Sequence, residues 1–265
     1  MKGKRGLIMG VANSHSIAWG IAEAAAKQGA ELAFTYQGEA LGKRVKPLAE
    51  QLGSKLVLPC DVEDLASVEA CFETLKRDWG KLDFLVHAIG FSDKNELKGR
   101  YADTTRENFS RTMVISCFSF TEVAKRAAEL MTDGGSMITL TYGGSARVMP
   151  NYNVMGVAKA ALEASVRYLA ADFGPQGIRV NALSPGPVRT LAGAGITGAR
   201  AMYAFMHAHS PLRKSVSIEE IGGSAVYFLS DLSAGVTGEV HHIDAGYNII
   251  SMPRPEDLKN GDEGA

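Results

Sequence analysis

The sequence predicts an α/β protein built on a single Rossmann-type, doubly wound parallel sheet of about seven strands with helices on both faces. Two observations lead to this prediction. Short apolar runs alternate with longer helical patterns along the whole chain, which is the order of elements in a doubly wound sheet. Most of the short runs are apolar throughout instead of alternating with polar residues, as expected for parallel strands that are covered on both faces.

The predicted elements follow each other regularly. The strands are expected at residues 5–10, 31–36, 55–60, 82–88, 136–141, 179–184 and 239–244. The helices are expected at residues 16–28, 39–52, 65–79, 106–131, 152–173 and 218–229. No internal repeat or low-complexity linker interrupts the alternation, so we predict one domain over residues 1–265.

Two segments depart from this regular pattern. A long connection rich in Ala, Gly and Met follows the sixth predicted strand. Because long connections inside compact domains are usually functional, we predict a substrate lid at about residues 190–210. The tail from about residue 253 is polar and contains glycine, and we expect it to fray.

Composition argues against several classes of function. The formal net charge is −1, from 28 Lys and Arg against 29 Asp and Glu, which gives no reason to expect nucleic acid or a membrane as a partner. The three cysteines have neither metal-ligand nor disulfide spacing, so we expect no metal site and a reducing compartment. No stretch approaches the ~20 apolar residues of a membrane span, and no secretion signal is recognisable. We therefore expect a cytoplasmic protein.

The turn after the first predicted strand has features of a dinucleotide-phosphate site. Gly10 permits a tight turn, and the helix that follows offers free N–H groups to a pyrophosphate. Ser16 can cap that helix or donate its hydroxyl to a phosphate, and Gly20 is expected to let the helix pack close to the sheet. The second glycine of a GxGxxG motif is absent, so the turn alone is also compatible with an ordinary strand–helix unit.

The next two strand ends carry a neutral and an acidic side chain. Neutral Gln37 follows the second strand, where an arginine would be typical of NADPH binding, and we therefore predict NADH as the cofactor. Asp61 follows the third strand. Its carboxylate is expected either to accept a hydrogen bond from the adenine amine or to cap the next helix, and the sequence leaves both roles open.

Tyr152 and Lys159 are seven residues apart at the start of one predicted helix and therefore share a face. An ammonium close to a phenol favours the phenolate, so we expect a lowered pKa for Tyr152. Such a pair suits proton transfer beside a hydride transfer. Isolated pairs of this kind are usually structural, but the strand ends described above converge on the same edge of the sheet.

Together these residues resemble the short-chain dehydrogenase/reductase family, and specifically its bacterial NADH-dependent enoyl-acyl carrier protein reductase branch. The resemblance covers residues 3–252. It depends on the spacing of Tyr152 and Lys159, on Tyr142 ten residues before Tyr152, and on the Gly10-x5-Ser16-x-Ala18-x-Gly20 turn. The runs 150–156 and 231–235 are also similar. Most short-chain reductases have the lysine four residues after the tyrosine, where this chain has Gly156.

The resemblance implies reduction of the carbon–carbon double bond of a trans-2-enoyl thioester in fatty-acid elongation. Hydride from NADH goes to the β-carbon, and the resulting enolate is protonated. Acyl carrier protein is the implied partner, and a homotetramer is the implied assembly. The implied catalytic residues are Tyr142, Tyr152 and Lys159. Those implied for the dinucleotide are Gly10, Ser16, Ile17, Gln37, Asp61, Val62, Ile89, Lys159, Val188, Arg189, Thr190, Leu191 and Ala192. Those implied for the acyl chain are Ser92, Met155, Ile196 and Met202.

Two other functions remain open on the sequence. One is another short-chain reductase acting on a ketone, against which Gly156 argues because the usual lysine is missing there. The other is a non-catalytic nucleotide sensor on the same fold, against which the retained tyrosines and lysine argue.

Overall fold

Seven parallel strands form one sheet in the computed structural model, which describes residues 1–188, 190, 198–252 and 254. The strands are β1 (Arg5–Met9), β2 (Glu31–Tyr36), β3 (Leu56–Pro59), β4 (Phe84–His87), β5 (Gly135–Leu140), β6 (Ile178–Pro185) and β7 (Val240–Ile243). Their order is β3-β2-β1-β4-β5-β6-β7, so the direction of winding reverses between β1 and β4. Ligands of such sheets bind outside the carboxyl ends of the strands at this reversal. The predicted fold class is confirmed.

Helices cover both faces of the sheet, as the apolar strands predict. In the described residues they are α1 (Ile17–Lys27), α2 (Gly38–Gln51), α3 (Leu65–Trp79), α4 (Arg106–Met113), α5 (Ser119–Leu130), α6 (Asn153–Phe173), α7 (Ala199–His209) and α8 (Ile218–Leu229). Strand residues alternate between two cores: Leu7 and Met9 pack with α3, α5 and α6, whereas Ile8 packs with α1, α2 and α8. Both cores need apolar strand residues, which explains the absence of alternation in the sequence.

The prediction of one continuous α-helix at residues 106–131 is wrong in the middle of that segment. A π-helical turn at Val114–Phe118 separates α4 from α5. Within it, the Ser116 hydroxyl donates to the Phe91 carbonyl oxygen at 2.9 Å and accepts from the Phe91 N–H at 2.9 Å. The widened turn thereby ties this helix to the loop after β4. Such turns are frequent at functional sites, and apolar periodicity does not reveal them.

Gly20 allows a close helix–helix contact, and the prediction that it packs against the sheet is wrong. A Cβ atom at Gly20 would lie 2.6 Å from the carbonyl oxygen of Ile218, at the start of α8. Gly222 is equally close from the other side, with a Cβ position 2.6 Å from the Gly20 carbonyl oxygen. The two glycines let α1 and α8 approach each other more closely than side chains permit.

The predicted lid and tail fall partly outside the described residues. α7 occupies the second half of the segment at 190–210, whereas Arg189 and residues 191–197 are not described. Of the tail, Arg254 is described and the other residues from 253 are not. Among the described residues, no helix combines the length and apolar character needed to cross a membrane.

Candidate active site

A cavity of about 430 Å³ opens at the carboxyl ends of β4, β5 and β6, next to the reversal of strand order. This volume is in the range of small-molecule sites. The structure brings ten of the predicted site residues to its walls: Ile17, Ile89, Ser92, Tyr142, Tyr152, Met155, Lys159, Val188, Thr190 and Met202. The predicted residues Arg189, Leu191, Ala192 and Ile196 lie outside the described residues.

Tyr142 and Tyr152 stand side by side in the wall of this cavity. Tyr142 follows β5, and Tyr152 is the residue that begins α6 as its N-cap. Their ring centroids are 5.1 Å apart and the rings meet edge to face at 72°. A Cβ atom at Gly144 would lie 2.4 Å from Cδ1 of Tyr152, so the turn after Tyr142 reaches under the ring only because it has no side chain there.

Both phenols are protonated near neutral pH, and the predicted lowering of the Tyr152 pKa is wrong. Burial raises the pKa of Tyr152 well above its usual value, and the neighbouring Tyr142 and Glu163 act in the same direction. Burial likewise raises the pKa of Tyr142 to about 12. The loss of hydration outweighs the nearby ammonium because the phenolate, and not the phenol, is penalised by burial. The two hydroxyls therefore act as O–H donors.

Lys159 is a buried ammonium with 7% of its surface exposed. Its Nζ donates a hydrogen bond of 2.8 Å to the carbonyl oxygen of Leu140 at the end of β5. Burial lowers the pKa of Lys159 to about 8, and the opposing influence of Cys117 and Glu163 raises it. An ammonium has three N–H donors, and among the described residues Leu140 takes one of them. Two donors remain for hydroxyl groups of a ligand in the cavity.

Gly156 occupies the position at which most short-chain reductases carry their lysine. A Cβ atom there would lie 2.7 Å from the carbonyl oxygen of Gly144. Contacts this short do not occur for real Cβ atoms, so any side chain at position 156 requires the turn after Tyr142 to move. The local packing thus requires glycine at this position, and the lysine of this chain stands one helical turn later, at Lys159.

The phosphate turn has the predicted glycine, but Ser16 plays a different part from a helix cap. Gly10 has φ +100°, and a Cβ atom there would lie 2.1 Å from the carbonyl oxygen of Ala88, so only glycine fits. Ser16 is the N-cap residue of α1 by position, yet its side chain makes no cap hydrogen bond. Its Oγ accepts from the N–H groups of Ala12 at 3.0 Å and Asn13 at 3.1 Å, which stabilises the turn itself.

Gln37 and Asp61 contact each other at the ends of β2 and β3. Gln37 Nε2 donates to Asp61 Oδ2 at 3.0 Å. The second carboxylate oxygen of Asp61 accepts from the N–H of Glu63. The cap of α3 is Asp64, which accepts from the N–H of Ala66 at 3.0 Å, so the capping alternative for Asp61 is wrong. Gly10, Ser16, Gln37, Asp61 and the buried Val62 therefore lie at the same sheet edge as the cavity, beside it and not in its wall.

His87, the last residue of β4, is wholly buried. Its ring nitrogens pair with Thr139 Oγ1 at 3.2 Å and Ser119 Oγ at 2.9 Å. Burial lowers its pKa to about 3, and the Lys159 charge acts in the same direction. A neutral, doubly hydrogen-bonded imidazole in the sheet interior is a structural group.

Tyr203 in α7 was not predicted and lines the same cavity. Its hydroxyl donates to the carbonyl oxygen of Val188 at 3.0 Å, which ties α7 to the segment after β6. No spacing motif marks this residue. The signal available in the sequence is its place in an apolar, Met-containing segment after the sixth strand.

Comparison with known proteins decides the family. Residues 10–248 match the family model described as enoyl-(acyl carrier protein) reductase. The chain belongs to that family. A relative from Rhizobium meliloti (strain 1021), enoyl-[acyl-carrier-protein] reductase [NADH] 2, is 75% identical over 262 residues, which are 99% of this chain and 98% of the relative.

Two solved enoyl-acyl carrier protein reductases have the same fold. The protein from Anaplasma phagocytophilum, in complex with NAD, is 57% identical with a TM-score of 0.93 and covers 96% of this chain and 97% of its own. The protein from Bacillus cereus, with NADP+ and indole naphthyridinone, is 49% identical with a TM-score of 0.93 and covers 95% of this chain and 98% of its own. Family membership agrees with the resemblance drawn from the motifs.

Proposed function

We propose that the chain is an NADH-dependent enoyl-acyl carrier protein reductase, which reduces the double bond of a trans-2-enoyl thioester in fatty-acid elongation. The observation that carries this proposal is the meeting of Tyr142, Tyr152 and Lys159 in one cavity, with Gly156 in the place of the usual lysine. Two relatives that match at least 95% of this chain are named enoyl-[acyl-carrier-protein] reductase [NADH], which supports the same reaction here.

The residues of the cavity fit a nicotinamide dinucleotide. The Tyr142 hydroxyl is buried and has no hydrogen-bond partner among the described residues, so it offers an unused donor. Lys159 keeps two N–H donors for ribose hydroxyls, and Gly10 with Ser16 forms a compact turn before a helix N-terminus. We propose that Ile17, Gln37, Asp61, Val62, Ile89, Val188, Arg189, Thr190, Leu191 and Ala192 complete the dinucleotide site.

The two phenols have the protonation state that the reaction requires. When bound, NADH supplies the hydride for the β-carbon of the substrate. Tyr152 donates its O–H to the thioester oxygen, where negative charge develops, and the unpartnered Tyr142 hydroxyl assists at the same oxygen. One such donor typically contributes ~10²–10³ in rate. Lys159 orients the nicotinamide ribose and, as a nearby cation, favours the developing charge.

The acyl chain is proposed to contact the apolar part of the cavity. Met155 in α6, Met202 in α7 and Ser92 all line it. The Ser92 hydroxyl accepts from Thr112 at 2.9 Å, which holds it in place. Ile196, outside the described residues, completes the proposed channel, and closure of the segment at about 190–210 would exclude water from the reaction.

NADH is the proposed cofactor because the end of β2 presents a neutral amide and an acidic neighbour. Gln37 is neutral, and its amide is held by a hydrogen bond to Asp61. An arginine near this strand end would accommodate the extra phosphate of NADPH, and a neutral amide does not. The Bacillus cereus relative with NADP+ makes this preference worth measuring directly.

The proposed setting is a cytoplasmic homotetramer that receives its substrate on acyl carrier protein. Large apolar side chains are exposed along α4, the π-helical turn and α6, including Phe118 at 55% and Tyr168 at 76%. Exposed apolar side chains of this size favour contact with further copies of the chain. The three cysteines are unpaired and buried, which suits a reducing compartment.

A spectrophotometric assay separates this function from its alternatives. Purified protein is mixed with NADH and either crotonyl or acetoacetyl thioester, and oxidation of NADH is followed. We expect turnover with the enoyl substrate. Turnover with the keto substrate alone would identify a ketoreductase, and binding of NADH without turnover of either thioester would identify a nucleotide sensor.

A further inference from the structure

Three consecutive residues at the end of β5 contact α6 at three places. The Leu140 carbonyl oxygen accepts from Lys159 Nζ at 2.8 Å, and the Tyr142 ring meets the Tyr152 ring at 5.1 Å. Between them, Thr141 Oγ1 donates a hydrogen bond of 2.6 Å to Glu163 Oε1. The middle contact involves a carboxylate that no step of the proposed mechanism uses.

Glu163 lies one helical turn beyond Lys159, at i+4 on the same face of α6. Glu163 is half-buried. Its helical neighbours Leu162 and Val166 are fully buried in the core. Thr141, its hydrogen-bond donor, is 4% exposed. A carboxylate so placed needs a partner, because an unpaired charge away from water is costly. Glu163 is outside the residues that line the cavity, so any part it plays is indirect.

We propose that Glu163 is a positioning residue for the reaction, which rests on the proposed function: held by Thr141, its carboxylate fixes the Tyr142 segment against α6 and keeps the Lys159 ammonium charged. The hydrogen bond sets where the strand end carrying Tyr142 lies relative to Tyr152. The negative charge offsets part of the penalty that burial imposes on the ammonium one turn away.

The surroundings of Lys159 support the electrostatic half of this proposal. The Lys159 charge interacts with His87 of β4, which is neutral, with Cys117 of the π-helical turn and with Glu163 of its own helix. The phenols of Tyr142 and Tyr152 line the same cavity as Lys159. Among these groups Glu163 is the carboxylate. Its charge raises the pKa of Lys159 against the larger effect of burial. Removal of the charge therefore lets the ammonium lose its proton at lower pH.

Two substitutions separate the charge from the hydrogen bond. Glu163→Gln removes the charge and retains an amide oxygen that accepts from Thr141. Thr141→Val removes the hydrogen bond and retains the charge, and Thr141→Ser restores the hydroxyl. Glu50→Gln, at an exposed position in α2, is the matched control for loss of one carboxylate. Thermal unfolding establishes that each variant folds.

The Kd for NADH and the kcat and KM for crotonyl thioester are measured from pH 6 to pH 9.5. For Glu163→Gln we expect the loss of NADH affinity at alkaline pH to begin at a lower pH. If the proton affinity of Lys159 falls tenfold, the protonated fraction at pH 8 falls about fivefold, and the Kd for NADH at pH 8 rises about fivefold. For Thr141→Val we expect kcat to fall about 10-fold with the pH profile unmoved, since small misplacements of reacting groups are costly. Thr141→Ser should recover kcat.

The proposal would be overturned if Glu163→Gln had the same pH profile and kcat as the Glu50→Gln control. An unchanged kcat in Thr141→Val would also overturn it. Absence of crotonyl thioester turnover by the unmodified chain would instead refute the proposed function. In that case the Lys159 pKa, measured by NMR on protein with ¹³C-labelled lysine, still decides the electrostatic half. An unchanged Lys159 pKa in Glu163→Gln would refute it.

Discussion

Substitution of Gly156 by alanine tests whether packing between α6 and the turn after Tyr142 excludes a side chain at this position. The new Cβ atom would lie 2.7 Å from the Gly144 carbonyl oxygen, whereas ordinary contact begins at 3.4 Å, so the two backbones must separate by about 0.7 Å. Overpacking of this kind costs ~1–3 kcal/mol, and the better helix propensity of alanine returns ~1 kcal/mol. We expect a net loss of ~0–2 kcal/mol in the free energy of unfolding.

The effect on activity is expected to exceed the effect on stability. The turn that must move carries Tyr142 and supports the Tyr152 ring through Gly144. A displacement approaching 1 Å at reacting groups can cost ~10²-fold in rate, so we expect kcat/KM for an enoyl thioester to fall at least ~10-fold.

Gly223→Ala is the matched control, because Gly223 is also inside a helix and a Cβ atom there has open space around it. This variant should keep full activity and gain ~1 kcal/mol in urea unfolding. If Gly156→Ala were as active and as stabilised as Gly223→Ala, the packing account of position 156 would be refuted.

Three further predictions concern the two functional side chains of α6 and the cofactor. Tyr152→Phe removes the proposed O–H donor, and steady-state kinetics should show kcat reduced ~10²–10³-fold with the Kd for NADH little changed; a weakened Kd with normal kcat would point to a structural tyrosine. Because Lys159 has a pKa lowered to about 8, its ammonium is present below that pH and is lost as the pH rises through it. NADH affinity, measured by fluorescence titration, should therefore fall above about pH 8, and Lys159→Ala should bind weakly with no such dependence. A flat profile in the unmodified chain would contradict the ribose role. Finally, titration with both cofactors should favour NADH, and Gln37→Arg should shift the ratio of affinities toward NADPH. An unmodified chain that prefers NADPH would overturn the interpretation of the Gln37–Asp61 pair.

Sequence patterns predicted the sheet, because strands covered on both faces leave uninterrupted apolar runs such as those that became β1 and β6. They also indicated which residues meet, since the carboxyl ends of parallel strands share one edge. The π-helical turn escaped prediction because one extra residue in a turn leaves the apolar periodicity nearly unchanged.

Interactions between distant parts of the chain account for the remaining errors. The Tyr152 pKa depends on burial by the completed fold, and sequence spacing to Lys159 could not weigh burial against charge. Gly20 packs against α8, about two hundred residues later in the chain, and not against the sheet beside it. The Thr141–Glu163 hydrogen bond likewise joins two elements whose contact exists only in the folded protein.

The most direct test of the proposed function follows the hydride itself. The chain is incubated with NADH deuterated at the transferable position and with trans-2-enoyl acyl carrier protein, and the acyl product is examined by mass spectrometry and NMR. A saturated acyl chain with deuterium at its β-carbon is the predicted result. Unreacted enoyl substrate, together with deuterium delivered to the carbonyl carbon of a 3-oxoacyl substrate, would contradict it.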